Sequence, residues 1–504
     1  LIAPVHAQEQ LAKLVPPGAS DSDLAGWCVS ALGNTAAVGA WQDVVSGIAG
    51  GSVCVYRREG TAWFVDQLLT ASDAAGNDNF GYSVAVGDDV ILVGAIAENH
   101  QGLPNAGAAY VFRRSGVRWV EEQKLVASDG AKYDAFGSSA AIAGDVAVVG
   151  AMFEDHDGLI DPGAAYVFRR SASGWVEEQK LTAFESGPEF GRAVSVLGDS
   201  ILAGAPECTG AATTSGAVFA YRWTGTTWVL EQKFFASEGE TADFFGVEIS
   251  LSGDRALVGS PAFDTWYARG AAYVFRRTAG QWVQEAKLTE PIPHLDGFGG
   301  TVSLYGETAI VGGGSDGQGF GQALVFRAIG TEWPLVQTLE GKDSLVGDSF
   351  GCSVALTGDT AVAGALNADD QGVNSGSAFA FALNWDDLGS GLAGASDAPL
   401  LLGAGALAPG QRIWLSLSKA PPFAPTMIVI GASALNAPFK GGVMVPSPDR
   451  IVMVATGGDG HCDLQGLWPS PWPSGLELFF QAWSVDPAAP VGFAASNAVS
   501  STSP

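Results

Sequence analysis

The chain has 504 residues, 68 of them glycine, with 47% apolar and only 15% charged side chains, a composition that excludes disorder as its dominant state. The 53 acidic against 25 basic residues give a formal net charge of -28, which repels phosphate backbones and excludes nucleic acid as a partner. No run of about 18 apolar residues marks a transmembrane helix.

The first eight residues, LIAPVHAQ, resemble the end of a secretory signal, with Val5-His6-Ala7 in the small-x-small pattern that precedes cleavage. Residues 1–8 are expected to be a signal-peptide remnant, the alternative being an ordinary apolar N-terminus. The protein is then expected to be secreted or held at the cell-envelope surface, which suits an acidic, lysine-poor chain. Five scattered cysteines with no C-x-x-C pair predict neither a disulfide framework nor a zinc site.

From residue 9 to 384 the sequence repeats itself. FGYSVAV, FGSSAAI, FGRAVSV, FGVEISL, FGGTVSL and FGCSVAL begin at Phe80, Phe136, Phe190, Phe245, Phe298 and Phe350, and AGWCVSA at Ala25 is a degenerate copy. The glycines in second place, from Gly26 to Gly351, stand 52 to 56 residues apart. Another glycine follows 13 residues later in every unit, from Gly39 to Gly364, and a third opens runs such as GAAYVFRR. Twelve residues beyond the third, six units carry tryptophan: Trp63, Trp119, Trp175, Trp228, Trp282 and Trp333.

Each unit reads as four short strands divided by glycine-bearing turns, with no helical periodicity. A lone four-stranded sheet cannot bury both faces, so repetition at about 50 residues predicts propeller blades that cover one another. The seventh unit lacks its tryptophan and fourth strand, whereas Glu9-Gln10-Leu11-Ala12-Lys13-Leu14 resembles the EEQKL run that ends other units. The expected fold is all-β: a seven-bladed β-propeller over 9–384, closed by the N-terminal strand so that no sheet edge stays open. A Gly/Ser-rich linker follows at 385–398. Alternating apolar runs between Pro-rich turns then predict a small C-terminal β-sandwich over 399–504. Its ending, FQAWSVDPAAPVGFAASNAVSSTSP, resembles a terminal module of exported bacterial repeat proteins.

The intact Phe-Gly of six units, the Gly204-Ala205-Pro206 triplet and the agreement in spacing resemble FG-GAP repeats, the units of the integrin α-subunit propeller and of many bacterial exported proteins. That resemblance covers about three quarters of the chain and implies the propeller fold. Integrin-type units often carry a calcium loop between the Phe-Gly and Gly-Ala-Pro strands. Here both strands fit within 13 residues, and the remaining turn is too short to wrap a cation with six to eight oxygens. No metal site and no cofactor are expected.

Asp stands two residues before the Phe position in six units: Asp23, Asp78, Asp134, Asp243, Asp296 and Asp348. One reading is a turn brace, the carboxylate accepting from a backbone N–H two residues on. The other is an acidic ring that contacts a basic partner, joined by loop residues such as Glu98, Glu154, Asp155, Glu207, Asp369 and Asp370. Arginines after each third strand, such as Arg113-Arg114 and Arg169-Arg170, should edge the opposite face, paired with glutamates of neighbouring strands or free to bind a polyanion. His100 and His156 occupy equivalent acidic loops, which read as solvated surface rather than metal ligands. The tryptophans read as fillers between blades, or as platforms for sugar rings.

No G-x-S-x-G, H-E-x-x-H, phosphate-binding or dinucleotide-binding motif is present. The expected function is a non-enzymatic adhesion scaffold, monomeric, that contacts a cell-surface protein or glycan through the acidic loop face. The alternative is a carbohydrate-binding propeller lectin that uses Trp119 or Trp175.

Overall fold

The computed structural model describes residues 10–502 except 60–61, 157, 184–188, 262–269, 291–296, 314–320, 329–330, 359, 384–385, 390–391, 393–398, 405–411, 441, 458–459, 461, 468–475 and 490. The presumed signal remnant 1–8, Glu9 and Asp296 lie outside the described residues. The chain divides into two compact units, one of residues 10–381 and one that includes residues 382–504.

Among the described residues of the first unit, the strands form seven four-stranded antiparallel sheets. Blades 1 to 7 draw on residues 28–69, 80–125, 136–182, 194–234, 249–289, 301–339 and 350–382, each strand pairing with the next in sequence. Blade 7 takes its fourth strand from Gln10–Leu14, which runs antiparallel to Ser377–Ala382 with Lys13 opposite Phe379 and Leu14 opposite Ala378.

Blade 3 shows why these residues make these strands. Phe136–Ala143 turns through Gly144 and Asp145 into Val146–Ala151, and Gly144 supplies the left-handed φ of +58° that this tight turn needs. Val146–Ala151 is buried along its whole length and Ala164–Ser171 over its first five residues. Continuous rather than alternating burial means that both faces of the sheet are covered. The outer strand, Gly174–Thr182, exposes Val176, buries Trp175 and Leu181, and half-buries the rest.

The apolar cores lie between blades rather than within them. One joins Leu92, Val111 and Leu125 of blade 2 to Phe136, Val149, Tyr166 and Trp175 of blade 3. Equivalent clusters join blades 1 and 2, 3 and 4, 4 and 5, 5 and 6, and 7 and 1. Phe136 is fully buried and meets Tyr166 and Phe168 edge-on at 5.5 and 6.0 Å. Burying such a ring stabilises the pair of blades by about 2–3 kcal/mol.

Glycines set the inner seam. Gly137, with φ +97°, points its carbonyl at Gly94 of the preceding blade, where a Cβ on Gly94 would lie 2.0 Å from that oxygen. The same contact joins Gly364 of blade 7 to the Gly26 carbonyl of blade 1, at 2.1 Å. Glutamine sets the outer seam. Gln67 donates to the Trp119 carbonyl at 2.8 Å and accepts the Trp119 backbone N–H at 2.9 Å. Gln123 with Trp175, Gln179 with Trp228 and Gln232 with Trp282 repeat this clamp.

The second unit holds a five-stranded sheet, in the order Asp386–Gly389, Phe493–Thr502, Glu477–Val485, Pro425–Gly431 and Arg450–Ala455. A three-stranded sheet of Leu400–Ala404, Arg412–Ser418 and Cys462–Leu467 shares a core with it, in which Leu415 and Leu417 meet Ile428, Phe480 and Val499. Residues 386–389 belong to the stretch read from sequence as linker, yet they pair with residues 498–500.

Candidate functional site

The loops after the second strands and the loops between blades bond to one another and share a face. The Ser22 N–H donates to the Val373 carbonyl at 2.8 Å, Asn77 to Ala49 at 2.7 Å, and Tyr133 to Pro104 at 2.9 Å. On this face stands the aspartate row. Asp23, Asp78, Asp134 and Asp348 are buried and Asp243 half-buried. Each accepts a backbone N–H from three residues upstream, not two residues on: Ala75 to Asp78 at 2.7 Å, Ala131 to Asp134 at 2.7 Å, Glu240 to Asp243 at 2.6 Å, Leu345 to Asp348 at 2.7 Å, and Ser20 to Asp23. The residues flanking the carboxylate are left-handed, as Asn77 and Asn79 are around Asp78 at φ +67° and +60°. The side chain thus holds a turn that the backbone alone resists. Burial pushes the carboxyls of Asp23, Asp78 and Asp243 up, and that of Asp134 up to about 6.

Lysines neutralise much of the remaining acid. Lys124 bridges Asp73 at 2.7 Å and Glu98 at 2.9 Å, and Lys180 bridges Asp129 at 2.7 Å and Glu154 at 2.6 Å. Lys13 of the N-terminal strand does the same for Asp343 and Asp370. His156 lies 2.9 Å from Glu154 and donates through Nε2 to the Ala183 carbonyl at 3.0 Å, so it ties its loop to the following one. Asp155, Glu207 and Asp369 stay exposed, and so do the apolar side chains of Phe153 and Ile160 in the loop of Asp155 and of Val373 in the loop of Asp369.

On the opposite edge the arginines pair with neighbouring carboxylates. Arg113 pairs with Asp89 and Glu122 at 2.6 and 2.7 Å, Arg170 with Glu122 of the preceding blade at 3.2 Å, and Arg277 with Glu231 of the preceding blade at 2.9 Å. The turns between first and second strands hold two residues where Ala143 faces Val146, Leu197 faces Ser200 and Ser252 faces Arg255. Their aspartates, Asp199 and Asp254, pair with Arg222 and Arg276 at 3.3 and 2.9 Å. These residues do not fit the calcium loop of integrin-type units. The sugar-platform reading of the tryptophans is also corrected: Trp119 and Trp175 are only 4% and 3% exposed, sealed between blades.

A site that the sequence pattern did not single out lies on the propeller axis. The residue after each Phe-Gly, or its equivalent, is Trp27, Tyr82, Ser138, Arg192, Val247, Gly300 or Cys352, and all seven line one cavity of about 500 Å³. Trp27 and Tyr82 pack at 5.3 Å, with Trp41 beside them. Arg192 pairs with Glu189 at 3.3 Å. Glu248 faces the same space, and burial pushes its carboxyl up to about 7 against the pull of Arg192. The signal was present in the sequence as the most variable position of the motif, which only the assembled ring converges.

A four-stranded unit repeated around an axis, with paired glycines at each seam, defines a β-propeller of the integrin-like kind. The FG-GAP repeat model matches residues 9–56, 63–112, 119–168, 175–221, 228–275 and 333–381, and the chain belongs to that family. No curated protein sequence matches it. Among solved structures it is similar to Sqt1 of Chaetomium thermophilum, at 13% identity and TM-score 0.42 over 71% of this chain and 83% of that one. It is similar to a protein from Lactobacillus plantarum at 12% identity and TM-score 0.44, over 67% and 90%. It is also similar to the periplasmic gluconolactonase PpgL of Pseudomonas aeruginosa at 14% identity and TM-score 0.43, over 84% and 99%. This last likeness corrects the expectation that the chain is not an enzyme. A fold does not by itself decide between binding and catalysis, so the exclusion is withdrawn. At such distance the likeness assigns this chain no reaction.

Proposed function

We propose that this chain is an exported recognition protein, acting outside the cytoplasm, whose propeller offers its loop face to a macromolecular partner with basic groups. The observation that carries this reading is the contrast between the two faces. The arginine edge spends its charge on internal pairs, while the loop face keeps Asp155, Glu207 and Asp369 exposed together with apolar side chains. Mixed acidic and apolar surface suits a protein partner, with charge steering the encounter and apolar contacts holding it. In this reading the aspartate row positions the loops, and the exposed carboxylates make the contact.

A photo-crosslinking residue placed at Ile160 or Val373 and exposed to the native cell envelope is expected to trap a partner. Asp155→Lys combined with Glu207→Lys should abolish the adduct. Adducts formed only from Val120, on an outer strand, would place the contact elsewhere and overturn the reading.

A further inference from the structure

In four blades the second residue after the Phe-Gly position stitches one blade to the next. Cys28, Ser83, Ser139 and Ser353 donate to the glycine carbonyls of the following blades, Gly81, Gly137, Gly191 and Gly26, at 3.1, 2.8, 2.7 and 2.7 Å. Blades 4, 5 and 6 depart from the pattern with Ala193, Glu248 and Thr301, and blade 6 carries at the preceding position Gly300, alone among the seven residues there in having no side chain. Glu248 and Gly300 both line the axial cavity, where Glu248 adds a long polar group and Gly300 leaves the wall without a side chain. Nearby, the Ser138 hydroxyl is buried, its residue 8% exposed, and it has no hydrogen-bond partner. Such an orphan is costly unless something else satisfies it.

We propose that the axial channel binds a neutral, polyhydroxylated ligand of monosaccharide size, held by Glu248, Arg192 and Ser138 and bounded by Trp27 and Tyr82. The cavity of about 500 Å³ lies within the range of small-molecule sites. An anion is disfavoured by the net charge of the chain. A cation is disfavoured by Arg192 in the same wall and by burial, which works against an ionised Glu248. What remains is a neutral molecule that both donates and accepts, with C–H faces for the two aromatic rings. A sugar ring has that chemistry, whether free or at the end of a glycan. The site lies apart from the loop contacts and stands or falls without them.

Titration calorimetry on the full chain tests this with a neutral hexose, the matching hexuronic acid and hexosamine, tetramethylammonium and inorganic phosphate. The neutral hexose is expected to bind best. Glu248→Gln and Ser138→Ala should each weaken it about tenfold, the loss of one good hydrogen bond, with melting temperatures no lower than the parent's. Offering the same hexose free and as the terminal residue of an oligosaccharide tells the two sources apart. Three results would overturn the proposal: no heat with any saccharide, tighter binding of phosphate or tetramethylammonium, or unchanged affinity in both folded variants.

Discussion

Asp134 is held under two opposing demands. Burial disfavours its ionised form, the Ala131 N–H favours it, and nearby Glu154 adds repulsion, leaving the carboxyl at about 6 against an ordinary 3.8. Between those values the folded chain binds more protons than the unfolded one, so stability falls as pH rises through that window. Asp23, Asp78 and Asp243 act in the same direction. Asp73 and Asp129 act oppositely: burial raises them, but Lys124 with Tyr110 and Lys180 with Tyr166 outweigh it and hold them below the ordinary value. Their contribution is lost as the solution becomes strongly acidic. The melting temperature is therefore expected to peak at around pH 4 and to decline towards about pH 6, and Asp134→Asn should flatten that decline. Asp78→Ala should cost about 1–3 kcal/mol in a denaturant melt, because a buried backbone N–H loses its acceptor. The Asp-x-Phe-Gly motif was legible in the sequence as a repeated acid. That its oxygens turn inward was not, since the same spacing serves an exposed ring equally well.

At the scale of a blade, the strand pattern was fully legible because it is local: apolar runs, glycine turns and one period. What joins blades was only half legible. The glycines were visible, but their purpose lies in pairs such as Gly94 and Gly137 that belong to different units. Gly94→Ala places a methyl against the Gly137 carbonyl and should lower the melting temperature by far more than Gly33→Ala, where a Cβ meets nothing within 4 Å and only the left-handed φ of +57° is penalised. That second cost is about 1–2 kcal/mol. The glutamine clamp escaped sequence reading, because the recurring Trp-x-x-x-Gln run binds each glutamine to the tryptophan of the following unit and not to its own. Gln179→Ala removes both clamp bonds at one seam and should destabilise by about 1–3 kcal/mol, measured by chemical denaturation. Of the two readings of the arginines, internal pairing is the one seen at Arg170 and Arg277, which meet glutamates of the adjacent outer strand.

For the molecule as a whole, the incomplete seventh unit and the EEQKL-like N-terminal run were both readable, and Gln10–Leu14 does lie on Ser377–Ala382. The axial cavity was not readable, because seven residues more than 300 positions apart at the extremes converge only when the sheets assemble. Deleting residues 10–14 removes the Lys13 bridge and the buried Leu14 and leaves Ser377–Ala382 as a bare edge. A marked loss of heat resistance and a shift to larger species in size-exclusion chromatography are expected. An unchanged profile would show that the strand is dispensable.

That pairing also orders events during biosynthesis. Residues 10–14 leave the ribosome before any of the seven sheets, yet their hydrogen-bonding partner is made more than 360 residues later. Until then a short, sticky segment must wait unmatched, without docking on an earlier strand of similar sequence. Mispairing with a neighbouring molecule is the hazard of that delay, and slower translation should make it worse.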